Sequence, residues 1–330
     1  MIRAYIKSIA YCVPDKIVTN DDLSKIMDTS DEWIISHTGI KKRHFIGENE
    51  NNSDIAAKAA KIAMKKGGIT ADEIDFIIVC TGSADYLGFP ATACLVQEKL
   101  GAKNAGAYDI SAACTGFVFG VETAANFIKS GNYKNILVIG SEVLSRIIDM
   151  SDRNTAVLFG DGAGAALISG NEDSESKSEI ISSYLRADGS GENALKRPLG
   201  GTAHPFIPGV TDPKECFIYM NGRQVYNFAV KAVTNTILQI MEKNNLTIDS
   251  IKYIIPHQAN IRIIEAAANR ASIPIEKFYI NIENYANTSA ATIPIALTEV
   301  VDKNLIQRGD NIITVGFGGG LTYGGNYIKW

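Results

Sequence analysis

GITADEIDFIIVC (68–80) and NLTIDSIKYIIPH (245–257) follow one pattern: a polar turn, an isoleucine, then a short apolar run. Ile74 falls on Ile251, an offset of 251 − 74 = 177. Working outward, SAAC (111–114) aligns with SAAT (289–292) at 178, and NILVIG (135–140) with NIITVG (311–316) at 176. Three blocks in one order at nearly one offset describe an internal duplication. They predict two similar halves, 1–172 and 173–330, related by a pseudo-twofold axis, with the polar run NEDSESKSE (171–179) as a surface connector.

Each half alternates strand-like and helical patterns. IDFIIVC (74–80), NILVIGSE (135–142) and AALIS (165–169) are short, continuously apolar runs typical of strands covered on both faces. SDIAAKAAKIAMKKGG (53–68) reads as a helix capped by Ser53 or Asp54 and ended by Gly67. TGFVFGVETAANFIKSG (115–131) reads as a second, closed by Gly131. The expectation is α/β architecture with layered sheets and helices. The segment 186–215 holds too many Gly and Pro for a regular element and is expected to be a long loop of the kind that often serves as a lid.

Composition narrows the function classes. With 330 residues, 46% apolar and 21% charged, the chain is an ordinary globular sequence long enough for about two core units. The net charge of −4 gives no bulk basic field for nucleic acid. No apolar run reaches membrane-spanning length, and the first residues read as a strand rather than a signal peptide, so no membrane association is expected. The five cysteines (12, 80, 94, 114, 216) are scattered and form no CxxC pair, which argues against a metal site or disulfide framework and fits a cytoplasmic setting.

Cys114 stands in DISAACTGF, between an apparent strand and a helix start. A thiol there faces unpaired backbone N–H groups and the positive end of the helix dipole, both of which favour the thiolate. Those N–H groups also suit an oxyanion. The competing reading is a buried structural cysteine. His257 follows the strand-like KYIIP and precedes a helical run; it is either a base or oxyanion donor or a structural histidine. Asn287 precedes the second copy of the Cys114 turn, where an amide can bond an oxygen without titrating or simply cap a helix. FGGGLTYGG (317–325) brings backbone close to something, and FGDGAGAAL (159–167) is neither a P-loop nor a GxGxxG turn.

Taken together, seven segments resemble the β-ketoacyl-acyl-carrier-protein synthase III family: TSDEWI–TGI (29–40), GFPATAC (88–94), AACTGF (112–117), DRNTAVLFGDGAGA (152–165), PHQANIR (256–262), NTSAATIP (287–294) and GFGGGLTYG (316–324). The resemblance implies a thiolase-like fold, a five-layer αβαβα sandwich built from duplicated halves. It implies a decarboxylative Claisen condensation that starts fatty-acid synthesis, with no cofactor or metal. Cys114 would take the acyl group from an acyl-CoA primer, and His257 and Asn287 would stabilise the enolate formed from malonyl-acyl carrier protein. The N–H groups of Cys114 and Gly319 would form the oxyanion hole, with Phe317 over the malonyl site. Trp33 and Arg153 would stack the CoA adenine. Arg262, Arg270, Arg223 and Lys231 would meet the acidic carrier protein, with Asn227 where relatives often have lysine. Phe89, with Leu87, would close the primer pocket of the partner in a homodimer. Where the family carries arginine before TGI this chain has His37, with Arg43 or Lys42 expected to replace its contact.

Other enzymes of the same fold are the nearest alternatives. Thiolases use a second cysteine where this chain has Gly or Asn, and hydroxymethylglutaryl-CoA synthase needs a glutamate not placed by the sequence. Plant-type polyketide synthases share Cys-His-Asn but are longer, and a secondary-metabolism acyltransferase of the same subfamily shares the motifs. Papain-like proteases have the same residue order but not their signature around the cysteine.

Overall fold

In the computed structural model, which describes residues 2–171 and 178–330, two mixed sheets are stacked with helices between and outside them. The first sheet runs Arg3–Cys12, Gly162–Asn171, Asn135–Glu142, Phe76–Cys80, Gly106–Ile110. The second runs Glu179–Ala187, Thr322–Lys329, Asn311–Gly318, Ile251–Pro256. Both begin with two antiparallel pairings and continue with parallel ones. The fifth strand of the first sheet is matched in the second only by a bridge between Ile254 and Phe278.

The helices Gly116–Lys129 and Thr292–Asp302 touch strands of both sheets and form the middle layer. Asn52–Gly67 and Thr92–Leu100 cover the first sheet outside; Gly222–Lys243 and Ile261–Ala271 cover the second. This is the five-layer order that the family resemblance implies. The middle layer meets the sheets mainly through apolar side chains: Phe117, Val121, Ile293 and Leu297 pack on Ile78, Val138, Ile255 and Ile312. Each such side chain contributes about 1.5–3 kcal/mol by leaving water.

Local chemistry sets the boundaries. The Asn52–Gly67 helix is capped two or three residues earlier than expected, by Asn51, whose backbone N–H donates to Asp54. Its last residue is Gly67, as expected, and Gly68 caps it in the left-handed conformation (φ 65°). Gly67 also allows close approach, since a Cβ would lie 2.5 Å from Leu167. In the Gly116–Lys129 helix the closing Gly131 has φ 83°.

The helix entries correct the sequence alignment. The short turns Ala113–Thr115 and Ser289–Ala291 correspond at an offset of 289 − 113 = 176, not 178, and their first residues share a positive φ of 46° and 49°. The position equivalent to Cys114 is therefore Ala290. The segment expected as a loop is strand as far as Ala187; beyond it only the pairs Leu195–Lys196 and Tyr219–Met220 are regular, with short turns at Gly189–Gly191 and Pro213–Cys216. The proposed connector and the 172/173 boundary lie largely outside the described residues. Among the described residues no helix is long and apolar enough to cross a membrane.

Candidate active site

Cys114, His257 and Asn287 meet at the ends of the central strands. Cys114 sits in the turn that opens the Gly116–Lys129 helix, buried apart from a sliver of its surface. His257 is the first residue past Ile251–Pro256, and its N–H donates to Val315 O at 2.8 Å, extending the parallel pairing by one residue. Asn287 is clamped through its backbone: its N–H donates to Leu158 O (2.9 Å) and its carbonyl accepts from Gly160 N (3.0 Å). That is the work of the glycine-rich FGDG turn. A Cβ at Gly160 would lie 2.8 Å from Tyr285 O, so only glycine fits there. Asp161, also in that turn, accepts from Ile46 N and Ser145 N and anchors it.

Side-chain orientation is equally determined. Asn287 Oδ1 accepts from Ser289 N at 2.8 Å, which leaves the amide NH₂ as the free end. His257 Nδ1 lies 2.7 Å from Thr292 Oγ1, leaving Nε2 as the ring nitrogen available to the cavity. Thr292 Oγ1 is also 2.9 Å from Ser289 O, so the direction of its one proton selects the imidazole tautomer. The Phe317 ring stands 5.1 Å from the imidazole at 65°, an edge-to-face contact.

Two cavities meet at Cys114. One, about 200 Å³, is lined by Cys114, His257, Asn287, Phe317 and Gly318. The other, about 140 Å³, is lined by Cys114, Leu144, Ile147, Phe159, Ile218, Glu142 and Ser289. Two wider clefts of about 820 and 850 Å³ flank Leu195–Pro198 and Lys214–Tyr219; neither includes Cys114, His257 or Asn287.

Burial dominates the electrostatics. It pushes the Cys114 thiol up to about 12, while the Ser289 hydroxyl and the Cys114 backbone N–H pull it down. The helix terminus thus works against desolvation rather than alone, as the sequence suggested. Burial lowers His257 to about 3, so the imidazole is neutral near neutral pH. Glu142 is raised by burial and pulled back by donors from Ser83, Gly82, Ser289 and Thr81. Cys80 is fully buried and pushed up strongly by desolvation, and it stays a structural residue.

The remaining expected residues divide. Gly319 lies near Ala113, but Gly318, missed in the sequence, approaches most closely: a Cβ there would be 2.7 Å from Cys114 N. Trp33 and Arg153 do come together, with the guanidinium 4.7 Å from the indole centre, and His37 also stacks on Trp33 at 4.3 Å. Arg43 cannot replace a missing phosphate contact. It is fully buried and donates to Asn20 Oδ1 (2.8 Å) and Val157 O (2.9 Å). Arg223, Lys231, Arg262 and Arg270 are exposed, and none forms an ion pair among the described residues; Arg262 also donates to Ser36 O at 2.7 Å. Leu87 and Phe89 line neither cavity of their own chain and are 65% and 89% exposed. Among the described residues no cluster of His, Cys, Asp or Glu is placed to hold a metal.

Glu142, Ser289, Thr292 and Gly318 escaped the sequence reading. Glu142 ends a strand-like run and carries no motif; Ser289 and Thr292 lie inside SAAT, which was aligned two residues out of structural register.

Comparison with known proteins agrees with this geometry. The family profile described as 3-Oxoacyl-[acyl-carrier-protein (ACP)] synthase III matches residues 108–189, which include Cys114. The one described as its C terminal matches 241–330, which include His257 and Asn287. The chain is 52% identical over 320 residues to Beta-ketoacyl-[acyl-carrier-protein] synthase III of Clostridium acetobutylicum, covering 96% of each. It is 49% identical over 330 residues to the protein of that name from Natranaerobius thermophilus, covering 100% of each. The crystal structure of 3-oxoacyl-[acyl-carrier-protein] synthase III from Aquifex aeolicus VF5 superposes with a TM-score of 0.90 at 42% identity, covering 99% of this chain and 100% of that one. With thiol, imidazole and amide converging where the two matched segments meet, the chain belongs to the 3-oxoacyl-[acyl-carrier-protein] synthase III family.

Proposed function

We propose that this protein condenses a short acyl-CoA primer with malonyl-acyl carrier protein, losing carbon dioxide, to give the β-ketoacyl-carrier protein that starts fatty-acid synthesis. The observation that carries this is the position of Cys114 at the junction of two cavities, one largely apolar and one bearing His257 and Asn287. A thiol so placed can hold an acyl chain on one side while a carbanion forms on the other.

In the first half-reaction the Cys114 sulfur attacks the acyl-CoA carbonyl, and the N–H groups of Cys114 and Gly319 receive the oxyanion. In the second, malonyl thioester occupies the His257 side. With the Thr292 hydroxyl turned from Ser289 O to donate a hydrogen bond to Nδ1, Nε2 carries the single imidazole proton and donates to the thioester oxygen beside the Asn287 amide. Both donors are neutral and fixed, so charge developing on the enolate is met without solvent rearrangement. Phe317 keeps the imidazole in place and water out. Loss of carbon dioxide leaves the enolate, whose carbon attacks the acyl-Cys114 carbonyl and expels the Cys114 thiolate, which takes up a proton from solvent.

Trp33 and Arg153 hold the adenine of CoA, and the exposed Arg223, Lys231, Arg262 and Arg270 receive the acidic carrier protein. The chain acts as a cytoplasmic homodimer in which the exposed Leu87 and Phe89 are covered by the partner at its primer pocket. The two halves, 1–172 and 173–330, contribute the thiol and the His-Asn pair respectively.

The test is to incubate the protein with radiolabelled acetyl-CoA, locate the label by peptide mapping, then add malonyl-acyl carrier protein. Label on Cys114 that is chased into a ketoacyl product supports the reading; label elsewhere, or none, refutes it.

A further inference from the structure

Glu142 has no part in the reaction as set out. Its carboxylate is fully buried at the end of Asn135–Glu142, and among the described residues no lysine, arginine or histidine pairs with it. It accepts hydrogen bonds from Gly82 N (3.1 Å), Ser83 Oγ (2.5 Å), Thr81 Oγ1 (3.3 Å) and Ser289 Oγ (2.9 Å). The Ser289 hydroxyl pulls the Cys114 thiol down while the Glu142 carboxylate pushes it up. Cys114, Ser289 and Glu142 line the same cavity, with Gly82 and Ala113. The donors reach both oxygens, a set that a carboxylate accepts and an amide, with one acceptor oxygen, cannot. Burial without a counter-ion makes this carboxylate a proton acceptor, and through one hydroxyl it faces the cavity of the nucleophile.

We propose that Glu142, acting through the Ser289 hydroxyl, takes and holds the Cys114 proton while the sulfur is acylated. The Sγ–H proton passes to Ser289 Oγ as the Ser289 proton passes to Glu142 Oε1. The freed sulfur electron pair forms the bond to the thioester carbonyl carbon. Collapse of the oxyanion breaks the bond to the CoA sulfur, and the proton returns along Ser289 to that departing thiolate. One thiol is consumed and one released, and Glu142 is a carboxylate again before malonyl thioester arrives. The relay moves one buried negative charge from carboxylate to sulfur. Giving the proton to His257 would instead create two opposite charges in a site that burial holds neutral. Glu142 is thus a positioning and proton-holding residue for the first half-reaction, leaving His257 and Asn287 to the second.

This inference rests on Cys114 being the acylated nucleophile, and the test separates the two. The rate of Cys114 alkylation by iodoacetamide is followed against pH by mass spectrometry of its peptide, alongside acetyl transfer from acetyl-CoA and decarboxylation of malonyl-acyl carrier protein. The groups facing the relay are Cys114, Thr81, Ser83 and Ser289, with Cys80 and Asp109 on neighbouring strands and Lys196 and Arg197 across the cavity. In the unaltered enzyme thiol and carboxylate share one proton, so alkylation is nearly flat between about pH 6 and 8. E142Q should climb about tenfold per pH unit and lose roughly 100-fold in acetyl transfer at neutral pH, with decarboxylation within about twofold. E142D should restore the flat profile. S289A, which keeps the carboxylate but cuts the relay, should behave as E142Q and decides the matter if E142Q does not fold; alanine at the equivalent Ala113 adopts φ 46°, so the backbone accepts it. A flat profile in S289A, or equal losses in acetyl transfer and decarboxylation with the profile unchanged, overturns the relay. Failure of Cys114 in the unaltered enzyme to react with acetyl-CoA overturns the functional reading instead.

Discussion

Gly318→Ala should cripple acylation while leaving the fold standing. Gly318 ends the strand Asn311–Gly318, where it pairs with Thr322 and has little room to retreat. An added Cβ would lie 2.7 Å from Cys114 N and 3.2 Å from Cys114 Cβ. Ordinary contact begins near 3.4 Å, so Cys114 N must yield by 3.4 − 2.7 = 0.7 Å. That atom carries one of the two proposed oxyanion donors. Displacing a donor on this scale approaches losing it, and a lost donor costs about 100- to 1000-fold, or ~3–4 kcal/mol of transition-state stabilisation. The same strain costs the fold only about 1–3 kcal/mol. Single-turnover labelling with radiolabelled acetyl-CoA should therefore slow about 100-fold, while the thermal transition stays cooperative and falls by a few degrees. Gly319→Ala is the internal comparison. Its nearest neighbour would be Leu195 O at 3.3 Å, with Ala113 Cβ at 3.6 Å, and the expected loss is under about tenfold. If Gly318→Ala labels within about threefold of the unaltered enzyme, the close approach does not set the donor's position and the reasoning fails.

Cys114→Ser should abolish acyl-enzyme formation; retention of more than about a hundredth of the rate would refute the nucleophile assignment. His257→Ala and Asn287→Ala should each leave acetyl transfer to Cys114 within about tenfold but cut malonyl decarboxylation at least about 100-fold, and the reverse pattern would reassign the half-reactions. Thr292→Val should reduce decarboxylation about 10- to 100-fold with acetyl transfer preserved, because Nδ1 loses the partner that sets its proton; an unchanged decarboxylation rate would show that Thr292 only packs. The buried neutral His257 also makes stability acid-sensitive. Its folded pKa of about 3 lies below the 6.5 of the free side chain, so the unfolded chain binds the extra proton and stability falls as pH drops below 6.5. The loss should approach ~2 kcal/mol by pH 5, read as a lower urea midpoint, and His257→Gln should remove most of that pH dependence.

The duplication was legible because strand periodicity and turn residues survive divergence: Ile74 and Ile251 each close a matching short turn that leads into a strand. Cys114, His257 and Asn287 were legible because each sits at a strand or helix end inside a distinctive motif. Register at the helix entries was not, since SAAC and SAAT match by composition while the backbone pairs residues two positions apart. Nor does sequence reveal which charged side chain a fold swallows. Arg43 reads as an exposed base beside Lys42 and proves to be fully buried among carbonyls. Glu142 reads as the polar end of a strand, and only the packing of Ser289 from the other sheet's helix entry turns it toward the thiol.

The matching helix entries have a consequence for how this molecule can change. A Cβ at Gly140 would come 2.2 Å from Ala290 O, and one at Gly316 would come 3.5 Å from Cys114 O. Each copy's strand is thus moulded around the opposite copy's reactive corner, and Ala290 is the silent twin of Cys114. The frame is symmetric and the chemistry is not: a single reaction centre arises because one corner carries sulfur and the other only a methyl group. Neither segment can be exchanged, circularly rejoined or evolved alone without reshaping the wall of its twin, so substitutions on one side of the seam should tolerate drift only when answered on the other.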